Sequence, residues 1–403
     1  MTESNETKLE AAFELLAKIE KGGGEAYIVG GAVRDYLSGR PLGDIDIATS
    51  EPPSHIQKMF DKVIPVGIEH GTVIVRFRSV SYEVTTFRTE EGYEDYRRPD
   101  EVTFVRNIKE DLARRDFTIN AMAMDRFGTI IDPYYGLEAI EKRQVKAVGD
   151  PFDRFTEDPL RMMRAARFSS QLEFEIEKNT RQAILAKSSL LSYISMERIA
   201  VETLKLYRGR GYKKAISLVS NTNLITYLPI FNTIPSFPNV VPLVRLFSWP
   251  ELVTYYMAYT PSFAIKEWMK RWKLSNKERR ETEELHNALN EYSVKNRVTP
   301  WLLYVLPESL QRAFARVLQA KGLADESILV QLKEGCKNLP ILSSKELAFQ
   351  PQDLISLYPD KQKGPWISEY MKEIEYQVVE RHLANDYEKI KEWALLWNPP
   401  ENN

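Results

Sequence analysis

Two aspartates one residue apart are the groups in this chain best placed to do chemistry. Asp44 and Asp46 stand in the run Gly43-Asp44-Ile45-Asp46-Ile47, where carboxylates alternate with apolar residues. In an extended strand, residues i and i+2 share a face, so both carboxylates project together while Ile45 and Ile47 pack behind. Paired oxygen ligands on one rigid face suit Mg2+. One or two such ions activate an attacking oxygen and neutralise a leaving phosphate. Upstream lies Val29-Gly30-Gly31-Ala32-Val33-Arg34-Asp35. The Gly30-Gly31 pair lets a triphosphate approach the backbone, with N–H donors near a helix start. Arg34 adds a charge-assisted contact to phosphate. A DxD alone reads as two solvated acids beside a tight turn; Gly-Gly followed by DxD at this interval is far more specific. Such sites often need a third carboxylate. Glu83, on the apolar stretch Tyr82 to Phe87, is the candidate, and an outward-facing strand residue is its competing reading.

The segment Arg154 to Arg167, RFTEDPLRMMRAAR, carries a second constellation. Thr156 fits an N-cap and Pro159 the first turn of a helix. Asp158, Arg161, Arg164 and Arg167 recur every three residues as one slowly drifting stripe, with Leu160, Met163 and Phe168 turned to the core. Cytosine and adenine each present an exocyclic amine donor beside a ring-nitrogen acceptor. Uracil and guanine present a carbonyl and a ring N–H instead. A carboxylate paired with a guanidinium takes C or A and refuses U or G, and Asp158 with Arg161 provides that pair. Arg164 and Arg167 then hold sugar and phosphates or orient the pair. The bland reading is a surface helix with an intrahelical salt-bridge ladder.

The elements that position these groups change character along the chain. Residues 1–150 mix helix and strand. A helix runs from about Lys8 to Lys21 and stops at Gly22 to Gly24, and a short strand Ala26 to Val29 leads into the glycine pair. Asp44 to Ala48 reads as a half-buried strand. Val73 to Phe77 and Tyr82 to Phe87 read as a hairpin turning at Arg78 to Ser81. Val102 to Val105 reads as one more strand, and Glu110 to Met124 has helical spacing. From Pro151 onward long helical stretches take over. The fold class is an α/β head of mixed sheet and helices, followed by an all-α remainder.

Gly30-Gly31-Ala32-Val33-Arg34-Asp35 together with Gly43-Asp44-Ile45-Asp46 resembles the signature of the DNA polymerase beta-like nucleotidyltransferases. More narrowly, the chain resembles the class II branch of bacterial CCA-adding enzymes and poly(A) polymerases, over most of its length and most densely over residues 27–168. The resemblance implies a head (1–150), a nucleotide-reading neck (151–210), a body (211–320) and a tRNA-binding tail (321–403). It implies Asp44 and Asp46 as metal ligands, with Mg2+ as cofactor, and CTP, ATP and the tRNA acceptor stem and 3′ end as partners. Glu157-Asp158-Pro159-Leu160-Arg161 matches the family's Glu-Asp-x-x-Arg protein template. Arg114-Arg115-Asp116-Phe117-Thr118-Ile119-Asn120-Ala121 resembles its RRDFTxNA motif, in which an arginine contacts the nucleotide; that role falls to Arg115. The charged run Arg88 to Pro99 matches a flexible loop linked to the change from C to A addition, and its presence favours complete CCA over CC addition. A poly(A) polymerase commonly ends in a long basic extension, whereas Trp397 to Asn403 is not basic. The tail stretches Gly364 to Glu369 and Leu383 to Trp393 also match, although Gln350-Pro351-Gln352 stands where relatives usually carry a glycine. The implied activity is template-independent addition of C, C and A to tRNA. An RNA-binding protein without catalysis is the reading from another class, and the retained carboxylate pair opposes it.

Bulk properties narrow the alternatives. The 403 residues carry 55 Lys and Arg against 57 Asp and Glu, a net charge of −2, so nucleic-acid binding would depend on local clusters. Two are visible. KEWMKRWKLSNKERR, residues 266–280, places Trp268 and Trp272 one helical turn apart, with the tryptophans read as core and the basic face as a tRNA surface. Lys205 to Lys214 is similar. One cysteine, Cys336, excludes a disulfide framework. Four scattered histidines without an HExxH argue against histidine-based metal hydrolysis. Met1 to Glu10 has no apolar signal-peptide core, and no apolar run reaches membrane-spanning length, so a cytoplasmic protein is expected. The sequence fits a monomer or a homodimer.

Overall fold

The computed structural model describes residues 3–91 and 101–396. They divide into two units, Met1–Val241 and Pro242–Asn403. In the first, α1 (Glu3–Lys21) buries Leu9, Ala12, Leu15, Leu16 and Ile19. It starts ahead of the expected Lys8 and stops where expected, at Gly22 to Gly24. There follow β1 (Ala26–Val29), α2 (Gly31–Leu37), β2 (Asp46–Thr49), α3 (Pro53–Met59), β3 (Val63–Pro65), β4 (Thr72–Phe77) and β5 (Val80–Thr86). A ribbon of β6 (Arg88–Glu91) and β7 (Glu101–Phe104) precedes α4 (Ile108–Ala113), β8 (Ala123–Met124) and β9 (Ile130–Ile131).

Seven strands form one mixed sheet in the order β3-β4-β5-β2-β1-β8-β9. β2 is antiparallel to β1 and parallel to β5. Arg78 and Ser79 turn the β4–β5 hairpin at φ 46° and 65°, a left-handed pair whose twist matches that of the flanking strands. Alternation decides which way each strand residue points. Ile47, Val73, Val75, Tyr82 and Val84 join α1, α2 and α3 in the main core of the unit. Asp46, Glu83, Thr85 and Thr72 fall on the opposite face, where only a smaller cluster of Val29, Ala48, Phe87, Ile108, Leu112 and Ala123 packs.

Several expectations change here. Asp44 lies ahead of β2, not within it, although Ile45 and Ile47 are buried behind the two acids as the alternation requires. The helix expected over Glu110 to Met124 is the six-residue α4, capped by the Asn107 side chain on Lys109 N–H. It ends because Asp116 accepts from the Phe117 N–H at 2.8 Å and from Asn120 Nδ2 at 3.1 Å. Such local side-chain acceptors compete with helix bonding, and Phe117 bridges to Ala147 instead. The expected loop Arg88 to Pro99 begins as strand β6, paired with β7; its remainder lies outside the described residues, as does Trp397 to Asn403.

The rest of the first unit comprises α5 (Gly136–Glu141), β10 (Gln144–Val145), α6 (Pro151–Glu157), α7 (Leu160–Leu172), β11 (Glu175–Ile176), α8 (Lys178–Lys187), α9 (Met196–Arg208) and α10 (Tyr212–Asn221). Thr156 is not an N-cap: it lies inside α6, where its hydroxyl donates to the Phe152 carbonyl. The residue before a proline is pushed out of the helical region, so Asp158 is extended at φ −135° and ψ 97° and separates α6 from α7. Asp158 therefore precedes the helical stripe and caps it, accepting from Leu160 N–H at 3.1 Å. In the second unit every named element is helical. The 266–280 stretch splits into Ile265–Trp272 and Asn276–Lys295, the latter opened by a Ser275/Glu278 capping box. Trp268 and Trp272 are fully buried, as core. Among the described residues no helix is long and apolar enough to cross a membrane.

Candidate active site

A cavity of about 600 Å3 opens on the face of the sheet away from the main core. Gly31, Arg34, Asp46, Glu83, Arg115, Asp158, Arg161, Arg164 and Arg167 all line it, so nearly all the candidate site residues meet around one space. Asp44 stands just before β2 and is not among the lining residues, yet its charge acts on Asp46.

The carboxylate pair follows from strand register. Asp46 on β2 is the direct partner of Glu83 on parallel β5, and register partners share a face. Asp46 reaches the open cavity, but the surrounding walls strip away much of its solvation. That burial, with the negative charge of Glu83 and a smaller push from Asp44, raises its carboxyl to about 6 against the pull of Arg115. Crowded oxygen donors of this kind are what a hard divalent cation relieves. Among the described residues no three His, Cys, Asp or Glu groups are arranged to hold a metal by themselves. Such a cation would complete its shell with substrate oxygens and water, as Mg2+ commonly does.

Arginines supply the opposite charge. Eight of them line the cavity, against the five carboxylates of Asp46, Glu83, Asp111, Asp116 and Asp158. Arg34 makes a bidentate pair with Asp35 at 2.9 and 3.0 Å and donates to Asn120 Oδ1 at 2.6 Å. Asn120 donates to Asp116, and Asp116 accepts from Arg164 Nε at 2.7 Å. One chain of polar contacts thus ties α2 to α7. Burial alone would raise the Asp116 carboxyl. The Arg164 charge, the Asn120 and Arg164 hydrogen bonds and nearby Arg161 outweigh it and bring the group to about 2. The guanidiniums of Arg34, Arg164 and Arg167 all stand over the Phe168 ring, 4.1 to 5.6 Å from its centre. Phe168 is buried as expected, and its ring also steadies three cations. Arg167 pairs with buried Glu202 at 3.1 Å. Arg115 contacts Asp111 at 3.3 Å. Arg115 Nε and Arg198 Nη1 are buried without an acceptor, and both residues line the cavity, a polarity that suits a phosphate ligand.

Asp158 and Arg161 are held in place by side chains of α6 and α9. Glu157 accepts from Arg154 at 2.9 Å and from Arg161 at 2.7 Å. Arg154 donates to the Ala113 and Val148 carbonyls, and Arg161 to the Arg114 carbonyl. Asp158 accepts from Arg198 Nη2 at 3.1 Å. A carboxylate has about four acceptor sites and a guanidinium five donors, so each keeps capacity for a base edge. Asn120 sits inside the RRDFTINA run and was legible there. Arg198 lies 40 residues from Asp158, and no local pattern marks it.

Comparison with known proteins identifies the family. Residues 26–146 match the poly A polymerase head domain, residues 173–234 the probable RNA and SrmB-binding site of polymerase A, and residues 249–394 the tRNA nucleotidyltransferase domain 2. The CCA-adding enzyme of Anoxybacillus flavithermus is 45% identical, covering 97% of this chain and 98% of its own length. That of Oceanobacillus iheyensis is 41% identical over the same shares. The crystal structure of the Bacillus stearothermophilus CCA-adding enzyme in complex with CTP superposes with a TM-score of 0.83 at 36% identity, covering 96% of each chain. The Thermotoga maritima CCA-adding enzyme complexed with tRNA shares the fold, with a TM-score of 0.61 at 20% identity over 95% of this chain and 94% of that one. With a matching head, a matching second domain and near-complete coverage by these relatives, the chain belongs to the CCA-adding enzymes, a family of tRNA nucleotidyltransferases.

Proposed function

We propose that the protein adds C, C and A to the 3′ end of tRNA from CTP and ATP, without a nucleic-acid template. The terminal 3′-oxygen bonds to the α-phosphorus as the bond to the β-phosphate oxygen breaks, and pyrophosphate leaves. The observation that carries this reading is the single cavity lined by Asp46, Glu83, Asp158 and Arg161: carboxylates for the reacting phosphate and a matched pair for the base share one space. Asp44 and Asp46 are the residues to hold Mg2+, with Glu83 beside them. When bound, Mg2+ supplies neutralisation of the developing phosphate charge and lowers the pKa of the attacking hydroxyl.

In this reading Gly31, Arg34 and Arg115 receive the triphosphate, and Arg164 and Arg167 keep the nucleotide against α7. Asp158 accepts from the exocyclic amine while Arg161 donates to the ring nitrogen, and Glu157 fixes the Arg161 guanidinium so that its remaining donors point one way. The head (1–150), neck (151–210), body (211–320) and tail (321–403) divide the work between chemistry, base reading and tRNA binding, in the cytoplasm where tRNA and nucleotides meet. Exposed Arg208, Arg210 and Lys213 near the α9–α10 turn are suited to RNA phosphates. The test offers tRNA lacking its CCA end and an unstructured RNA, each with CTP, ATP, UTP or GTP. C incorporation confined to tRNA supports the proposal. Long A tracts on both RNAs would make the protein a poly(A) polymerase, and binding without incorporation would make it a passive RNA binder.

A further inference from the structure

The functional groups stand in a fixed order across the sheet. The glycine turn follows β1, Asp46 lies on β2, Glu83 on β5 and Thr72 on β4. Ala48 pairs with Thr85 in register, and Thr85 pairs with Thr72. The open face therefore runs from the two carboxylates to a pair of threonines, and both threonines line the cavity. Their hydroxyl oxygens lie 3.1 Å apart, each a possible donor to the other. Thr85 is two residues along β5 from Glu83, about 7 Å at the usual strand rise, and adjacent strands stand about 4.8 Å apart. That places the hydroxyl pair about one ribose's breadth from the carboxylates, on the side away from Gly30. Arg88 also lines this end; its side chain donates to the His70 carbonyl.

Displacement at a phosphoryl centre runs with the attacking and leaving oxygens roughly in line. With the triphosphate at the glycine turn, the attacking ribose must stand across the carboxylates from it, over β5 and β4. We propose that Thr72 and Thr85 form the binding site for the terminal ribose of the RNA acceptor and contact its 2′-hydroxyl, with Arg88 beside the adjoining phosphate. The inference rests on the nucleotidyl-transfer reading above and adds the acceptor side of the same site. Two hydroxyls bonded to each other use one proton between them. They keep one donor and several lone pairs, which complement a 2′-hydroxyl that both donates and accepts. A terminal 2′-deoxyribose leaves them unanswered, so the threonine pair selects RNA over DNA ends.

The experiment compares acceptors that end in a ribonucleotide or in its 2′-deoxy counterpart, both carrying the attacking 3′-hydroxyl, in the full-length protein with CTP. One neutral hydrogen bond corresponds to about three- to tenfold in kcat/KM. The wild type should favour the ribose end by about that factor. Thr85→Val and Thr72→Val, which keep the β-branched shape, should lose it on the ribose end and bring the two ends level, while the KM for CTP stays within about twofold. Thr85→Ser retains the hydroxyl and should retain the preference. A wild type indifferent to the 2′-hydroxyl overturns the inference alone, as do valine variants that keep the full preference. Wild-type protein that adds C to neither end overturns the transfer reading itself.

Discussion

The contact between Asp116 and Arg164 is the most quantifiable feature of the site. Asp116 is buried, with 7% of its side chain exposed, and Arg164 reaches it from α7 with both Nε and Nη2. Its carboxyl sits at about 2 instead of 3.8. At about 1.4 kcal/mol for each tenfold change, that depression corresponds to about 2 to 3 kcal/mol of stability. The folded value lies below the unfolded one, so the contribution is complete above pH ~4 and is lost as the pH falls through about 2; at pH ~3 about 1 kcal/mol of it is gone. Asp116→Asn keeps the shape, removes the charge and leaves Arg164 facing a neutral amide. The variant should be less stable than the wild type by about 2 to 3 kcal/mol near neutral pH, and the gap should narrow by about 1 kcal/mol near pH ~3. All seven tryptophans lie at position 249 or beyond, so tryptophan fluorescence is blind to the unit that holds Asp116. Urea unfolding followed by far-ultraviolet circular dichroism is the suitable assay. No loss at neutral pH, or a gap that does not change on acidification, would show that the Arg164 contact does not stabilise the ionised Asp116 carboxylate.

Other substitutions separate the remaining roles. Asp44→Asn and Asp46→Asn should each cut nucleotide incorporation by about a thousandfold while leaving the circular dichroism spectrum intact; turnover within tenfold of wild type would remove the metal role. Gly30 has φ 71° and ψ −130°, and a Cβ there would meet Arg115 Nη1 at 2.9 Å. Gly30→Ala should therefore cost about 1 to 3 kcal/mol of stability and raise the KM for CTP about tenfold, and an unchanged KM would contradict the placement of Arg115 at the triphosphate. Arg161→Ala should reduce discrimination of C and A against U and G by about tenfold, and equally sharp discrimination would take Arg161 out of base reading.

How much of this was legible depended on whether a residue acts through its neighbours in sequence or across the fold. The alternation of Ile45 and Ile47 with two acids is local, and the burial of both isoleucines follows from it. The pairing of Glu83 with Asp46 needs the register of two parallel strands, which strand periodicity alone does not supply. The helical reading of Glu110 to Met124 failed because apolar spacing ignores a competing acceptor: Asp116 binds Phe117 N–H and redirects the backbone. The stripe from Asp158 to Arg167 was sound for the three arginines, which share α7. It misplaced Asp158, because Pro159 forces the preceding residue out of the helix. Arg198 and Glu202 carry no local signal, since each meets its partner, Asp158 and Arg167, only after α9 has packed on α7 and the α6–α7 junction.

In the proposed function the amino-acid side chains of one cavity choose C, C and then A. Sequencing the 3′ ends of product made from tRNA lacking CCA, with all four nucleotides present together, tests it most directly. The ends should read CCA and stop. Ends carrying U or G, or a continuing run of A, would contradict it.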